Sequence, residues 1–432
     1  LSINPTAGQS VVYGISDPVS GFTYSQTGLV NGITPSYWNS SGQYVAASTI
    51  NDTLSGNLGR AAGENVGTYA YTMGSLAATT PANYTTTLNA GSFAITPASL
   101  SINPTAAQSI IYGASDPIGG FTYSQTGLVN GVTPSYWNSS GQYVAASTIN
   151  DILSGKLGRA TGENVGTYAY TMGSLAASTP ANYTTTLNAG SFAITPASLS
   201  ITPTVGQSII YGASDPASGF TYSQTGLVNG ITPSYWNSSG QYIAASTIND
   251  ILSGNLGRAA GENVGAYAYT MGSLAATTPT NYTTTLNAGT FAITPASLSI
   301  TPTAGQSVVY GVSDPAAGFA YTNTGLVNGV TPSYWNTSGA YVTAATINDT
   351  LSGKLGRAAG ENVGTYAYTI GNLAASTPTN YTTTLNAGTF AITPASLSIT
   401  PTAGQSEIAR AWGRVGGFTY GLPGLINRVR GA

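Results

Sequence analysis

The sequence predicts an all-β protein, a tandem array of antiparallel β-sandwich domains strung as beads on a string. Three observations carry that prediction. The 432 residues repeat almost letter for letter every 99 positions, so that Trp38, Trp137, Trp236 and Trp335 share one column and Arg60, Arg159, Arg258 and Arg357 another. Pro, Gly and Asn punctuate each repeat, and the runs between them are rich in Val, Ile, Thr, Tyr and Phe, the pattern of short strands. No longer segment keeps a helical period.

Within the first repeat, strands are expected near Leu1 to Asn4, Ser10 to Tyr13, Phe22 to Ser25, Tyr44 to Ala47, Leu54 to Arg60, Thr68 to Met73, Tyr84 to Leu88 and Ser92 to Thr96. Gly14, Gly28, Gly42, Gly56, Gly67 and Gly91 fall at their ends, where a turn or bulge is cheapest for Gly. In Thr68 to Met73 the tyrosines share one face, and in Phe93-Ala94-Ile95 the large residues share another, so two sheets pack face to face.

The period defines domains at 1–99, 100–198, 199–297 and 298–396, with a partial, divergent fifth repeat at 397–432. A unit of 99 residues is long enough to close its own core, whereas solenoid repeats run to ~20 to 50 residues and share one. Adjacent units meet at Thr96-Pro97-Ala98-Ser99 and its equivalents. So short and proline-stiffened a linker implies a preferred relative orientation.

Composition narrows the function. Charged residues are only 5% of the chain, so hydroxyls, amides and backbone must cover the surface, and lateral association is a standing risk. A net charge of −3 with ten basic residues makes no phosphate-binding stripe, which argues against nucleic acid as a partner. The chain has neither Cys nor His, which removes thiol chemistry, zinc ribbons, the commonest general base and the commonest metal ligand. No apolar run approaches the ~20 residues of a membrane span. Starting at Leu1 on a strand-like run, the chain reads as a processed product or an excerpt of a longer array.

Several words recur in fixed order: Tyr13-Gly14, Asp17-Pro18, Phe22-Thr23-Tyr24, Gly28 to Gly32, Leu54-Ser55-Gly56, Arg60 to Tyr69, Asn83-Tyr84 and Phe93 to Pro97. Together they resemble the MBG (mostly beta, glycine-rich) domains that occur in tandem in large secreted bacterial adhesins of the filamentous-haemagglutinin type. The resemblance covers all four repeats and implies an MBG-type or Ig-like sandwich, exported to the cell surface, with no enzymatic role. One departure stands out. In the family the Leu-Val-Asn-Gly word runs directly into Asp-Thr-Leu-Ser-Gly, but here Ile33 to Asn51 are inserted, carrying the one Trp of each full repeat.

That insert supplies the candidate interaction residues: Tyr37 and Trp38, Tyr136 and Trp137, Tyr235 and Trp236, Tyr334 and Trp335. Such a pair suits either a carbohydrate-stacking platform or a packing anchor against a neighbouring domain or chain, and packing is the favoured use. Candidate structural ion pairs join Arg60 to Glu64, Arg159 to Glu163, Arg258 to Glu262 and Arg357 to Glu361, while Asp17-Pro18 reads as a turn and Asp52 as a strand-start residue. No catalytic residue, metal ligand or cofactor is assigned. Calcium at the repeat junctions is disfavoured because no Asp cluster of the usual spacing occurs. Asn39-Ser40-Ser41 and Asn83-Tyr84-Thr85 are sequons, although Asn beside Ser is also turn chemistry.

The sequence thus points to a non-enzymatic extracellular structural protein, the repeat region of a surface fibre, filament or adhesin stalk, with self-association into fibres as its partnership. The alternative is a multivalent adhesin module that binds surface glycans through the Tyr-Trp insert. Residues 397–432 repeat only part of the unit and carry Arg410, Arg414, Arg428 and Arg430 against Glu407, a charge of +3, while residues 1–406 carry six cations and twelve anions. This stub is expected to lean on a sheet of a neighbouring domain.

Overall fold

The computed structural model describes residues 1–404 and Tyr420–Gly421. Apart from one three-residue 3-10 turn per repeat, the described residues form strands and loops. In the first repeat these are β1 (Ser2–Pro5), β2 (Ser10–Val12), β3 (Tyr24–Thr27), β4 (Asn31–Ile33), β5 (Ser36–Trp38), β6 (Tyr44–Ala46), β7 (Ile50–Asn51), β8 (Leu54–Ser55), β9 (Gly59–Arg60), β10 (Gly67–Thr72), β11 (Ala77–Ala78), β12 (Thr87–Leu88) and β13 (Ser92–Thr96).

Two sheets make the sandwich, one in the order β12-β1-β3 and the other β2-β13-β10-β9. Between them lie Ile3, Phe22, Leu58, Tyr71, Leu76, Phe93 and Ile95, all buried. Phe22 centres the cluster, with its ring 5.1 Å from Tyr71 and 4.9 Å from Phe93. The expected antiparallel pairing holds for β1 with β3, β10 with β13 and β9 with β10. Two further pairings are parallel, β1 with β12 and β2 with β13, so the sheets are mixed. The reason is topological: the opening of each repeat closes both sheets against its end, and the long chain between supplies the crossover that parallel neighbours require.

Strand content also differs from the sequence expectation in places. The run Leu54 to Arg60 is two short strands, β8 and β9, because the chain turns at Gly56 with φ +90°. The insert holds the expected strand at Tyr44 as β6 and three more: β4 pairs with β7, and β5 pairs with β6, making a two-tier hairpin. At its tip the Asn39 Oδ1 accepts from the backbone N–H groups of Ser41 and Gln43.

The linker is shorter than it reads. Thr96 still belongs to β13, and β14 (Ala98–Pro104) already belongs to the second repeat, so Pro97 alone lies between the strands. The structure divides into two compact units. The first comprises Leu1–Ala197 with Val228–Asp250 and Thr280–Thr283; the second comprises Ser198–Leu227, Ile251–Pro279 and Thr284–Ala432. The first therefore contains repeats 1 and 2 with the insert and the short segment Thr280–Thr283 of repeat 3, and the second contains most of the rest of repeat 3 and everything after it. In the second unit Thr400–Pro401 pairs antiparallel with Tyr420–Gly421; the expectation for the rest of the stub falls outside the described residues.

Candidate functional site

The residues singled out in the sequence converge where one repeat meets the next. In the first unit, β18 carries Ser135–Trp137 in the second repeat's insert and pairs with a strand at Tyr143–Ala145. That hairpin lies on the loop Ser16-Asp17-Pro18 of the first repeat. The Trp137 indole N–H donates to the Pro18 carbonyl at 2.9 Å, and its backbone N–H donates to Asp17 Oδ2 at 3.2 Å. The Tyr143 hydroxyl donates to the Asp17 carbonyl at 3.1 Å, while Ser135 N–H donates to Ser16 Oγ and Asp17 N–H to the Ser135 carbonyl. Trp137 is 9% exposed; Trp38, which has no repeat ahead of it in this chain, is 71% exposed. Covering that difference removes about 150 Å² of mostly apolar surface from water, worth roughly 3 to 4 kcal/mol.

Beneath this contact lies a wholly buried cation. Arg60 Nε donates to Asp17 Oδ2 at 2.8 Å, one terminal nitrogen donates to the Ala61 and Gly63 carbonyls, and the other to Glu64 Oε1 at 2.9 Å. Its guanidinium carbon is 5.0 Å from the ring of Tyr69 and 4.8 Å from that of Tyr136, which belongs to the next repeat. Burial opposes the charge on Arg60, but the Asp17 hydrogen bond and carboxylate outweigh it and hold the guanidinium protonated. Burial pushes the Glu64 carboxyl up, with Arg60 partly compensating. Asp17 is therefore more than a turn residue: its Oδ2 joins the cation of its own repeat to the Trp backbone of the following one.

A second cluster uses Tyr13. Its hydroxyl donates to Asp151 Oδ2 of the next repeat at 3.0 Å, and Ser178, Thr179 and Tyr183 donate to the same carboxylate. Burial pushes the Asp151 carboxyl up, and these hydroxyls, led by Thr179, outweigh it, so it lies below its ordinary value. The position read as a strand start in the first repeat, Asp52, accepts from Thr80 and Tyr84 in the same way. A third cluster is amide to amide: Asn182 accepts from Val66 N–H and donates to Asn65 Oδ1, both at 2.9 Å. Asn182 is buried, as are Asn281 and Asn380, which hold the same place in their repeats.

Two glycines make the close approach possible. A Cβ on Gly59 would land on the Asn138 carbonyl oxygen of the next repeat, and one on Gly14, at φ +86°, would sit 2.7 Å from a Val129 methyl. A groove of about 540 Å³ runs over the joint, lined by Tyr13, Glu64, Asn65, Tyr136 and Asp151 among others. Both its carboxylates are already engaged, Glu64 by Arg60 and Asp151 by hydroxyls. Among the described residues no three His, Cys, Asp or Glu side chains come together, and no helix is long and apolar enough to cross a membrane.

The same set recurs. In the first unit, Trp236 donates to the Pro117 carbonyl at 2.9 Å, Arg159 bonds Asp116 and Glu163, and Tyr235 lies 4.9 Å from the Arg159 guanidinium. In the second unit, Trp335 donates to the Pro216 carbonyl at 2.9 Å, Arg258 bonds Asp215 and Glu262, and Tyr334 lies 4.9 Å from Arg258. Arg357 keeps Asp314 and Glu361 as partners, and among the described residues the rings beside it are Tyr366 and Phe390 of its own repeat. Tyr136, Trp137, Tyr235, Trp236, Tyr334 and Trp335 are thus committed to protein contacts, whereas Tyr37 and Trp38 face solvent. Sequence reasoning missed Tyr13, Asp17, Asp151 and Asn182 as joint residues; their buriable polar groups recur with the period, but their partners lie a full repeat or more away.

The sequence profile of the MBG domain (YGX type) matches residues 1–94, 100–193, 199–292 and 298–391. No curated protein matches the sequence. Among solved structures, the crystal structure of the N-terminal eight Ig domains of Down Syndrome Cell Adhesion Molecule isoform 1.30.30 aligns at 12% identity with a TM-score of 0.15. That alignment covers 96% of this chain and 57% of the other, so the chain spans little more than half its length, and a score so low carries no argument. The profile covers most of the sequence in four copies, each containing a Tyr-Gly pair whose first member is Tyr13, Tyr112, Tyr211 or Tyr310, and the chain belongs to the MBG domain (YGX type) family.

Proposed function

We propose that this chain is the non-enzymatic repeat region of an extracellular structural protein, a bacterial surface fibre, filament or adhesin stalk, in which each joint transmits load from one repeat to the next. The observation that carries this reading is the burial of Trp137, Trp236 and Trp335 in the repeat ahead of each. A sugar-binding platform must leave its aromatic faces open, and these three are filled by protein. The charged groups support the same reading. Each inner Arg, its Asp and its Glu hold one another, which leaves no paired free carboxylates across a cleft for acid–base chemistry. Such a module needs no cofactor and no metal, and self-association is its expected partnership. Immunogold electron microscopy of the source cells, with antibodies raised against the repeats, tests the proposal. Gold on surface fibres is the expected result, and label confined to the cell interior contradicts it.

A further inference from the structure

The groove over the first joint has a chemistry of its own. About 540 Å³ in volume, it is walled by Tyr13, Glu64 and Asn65 of the first repeat and by Tyr136, Ser147 and Asn150 of the second. That is a size at which pockets take small molecules. Several of its polar groups are unused. Glu64 Oε1 accepts from Arg60 and Oε2 has no donor, while Asn65 accepts at Oδ1 from Asn182 and keeps its own amide hydrogens free. The Tyr136 and Ser147 hydroxyls and the Asn150 side-chain amide bond to no other described residue.

Those groups define what can enter. No Lys or Arg lines the groove, so an anion would meet two carboxylates and no partner. A cation would find both carboxylates already met, Glu64 by the Arg60 guanidinium and Asp151 by four hydroxyl groups. An apolar ligand would cut the free amides and hydroxyls off from water, with Ile149 the largest aliphatic side chain to receive it. A neutral molecule dense in hydroxyl groups fits: its O–H groups donate to Glu64 Oε2, and its oxygens accept from the Asn65 and Asn150 amides and the Ser147 hydroxyl. We propose that this groove binds a short neutral oligosaccharide, held by residues of both repeats, and that binding clamps the joint. The site is distinct from Trp137, whose ring is covered by protein. Because neither repeat supplies the groove alone, the ligand binds the closed joint and not the open one, and mass action then holds the two repeats together. The same residue types recur at Glu163, Asn164, Tyr235, Ser246 and Asn249, which places a second such site at the next joint.

Hydrogen exchange by mass spectrometry on the full chain tests this, with maltotriose, cellotriose and triacetylchitotriose as probes. Each is added at up to about 10 mM, which covers a millimolar Kd. At ten times Kd, at least one probe should slow exchange over residues 145–151 about tenfold. Ser147→Tyr, at an exposed side chain that makes no hydrogen bond, fills the groove of the first joint alone. It should abolish the slowing at 145–151 and preserve it at 244–250, which also shows that the variant is folded. No slowing with any of the three probes overturns the inference, as does slowing at 145–151 that survives Ser147→Tyr. Slowing by spermidine and by none of the sugars would mean a cation site and overturns it too. None of these results touches the reading of the chain as a surface structural protein, which stands or falls on where the antibodies bind.

Discussion

The indole N–H of Trp137 donates to the carbonyl of Pro18 at 2.9 Å across 119 residues of chain, from one repeat into the repeat before it. The same bond recurs from Trp236 to Pro117 in the first unit and from Trp335 to Pro216 in the second. The insert is therefore not decoration on the sandwich but the element that ties it to its predecessor.

Trp137→Ala should cost about 3 to 5 kcal/mol, because it empties a filled site and leaves the Pro18 carbonyl without its donor. Trp38→Ala, the same change at an exposed position, should fall within about 0.5 kcal/mol of the parent. Urea unfolding of the two full-length variants, followed by circular dichroism, separates them. Equal losses would mean that the buried contact is not what stabilises the inserts.

Arg60→Lys keeps the charge but loses the planar fork that reaches Asp17, two backbone carbonyls and Glu64 at once. At least one buried acceptor is left unmet, so a loss of about 2 to 4 kcal/mol is expected. At the fourth repeat, where Asp314 is more open, Arg357→Lys should cost distinctly less. Thermal melting of both variants is the check.

The Asp151 carboxylate gives the first joint a pH dependence of known sign. Its folded pKa lies below the ordinary 3.8, so its contribution is complete above that value and is lost as pH falls through the folded one. Asp151→Asn should thus destabilise by about 1.5 to 3 kcal/mol at neutral pH. The gap between variant and parent should shrink under acid, as the parent's own carboxyl takes up a proton. Urea midpoints from neutral pH down through the carboxyl range measure it; a gap that widens under acid contradicts the assignment.

Gly59→Ala should open the first joint, since its methyl has nowhere to go but into the Asn138 carbonyl, whereas Gly356→Ala, which among the described residues meets only the Thr369 hydroxyl at close range, should cost less. Limited proteolysis reports the difference as a new cleavage within the insert of the second repeat only in Gly59→Ala.

The period, the strands of the sandwich and the importance of the Trp-bearing insert are legible in the sequence because each is a local or periodic signal. Alternation in Gly67–Thr72 shows which tyrosines face inward, and they do. What escapes is nonlocal. Nothing near Asp17 shows that Arg60 lies against it 43 residues on, or that the amide of Trp137 lies 120 residues on, so an Asp-Pro pair reads as a turn. The parallel pairing of β1 with β12 leaves no mark, because pairing direction is set by chain path and not by composition. The insert is legible in part: Tyr44 to Ala47 reads as a strand and forms β6, whereas β4, β5 and β7 are strands of two or three residues among turn-forming neighbours, and the Trp and Tyr of the second repeat's insert face the preceding repeat and not their own core.

Hydrogen exchange by mass spectrometry on the full chain tests the central claim most directly. The segments 33–39 and 132–138 differ in sequence only at Ile33 and Val132, which gives their peptides distinct masses. The amides of Ser135 and Trp137 donate to Ser16 and Asp17, whereas the first insert has no repeat ahead of it in this chain. Slow exchange at 132–138 beside fast exchange at 33–39 is the predicted result. Equal exchange in the two segments would show that the insert is held by its own hairpin and not by the preceding repeat, and would contradict the account.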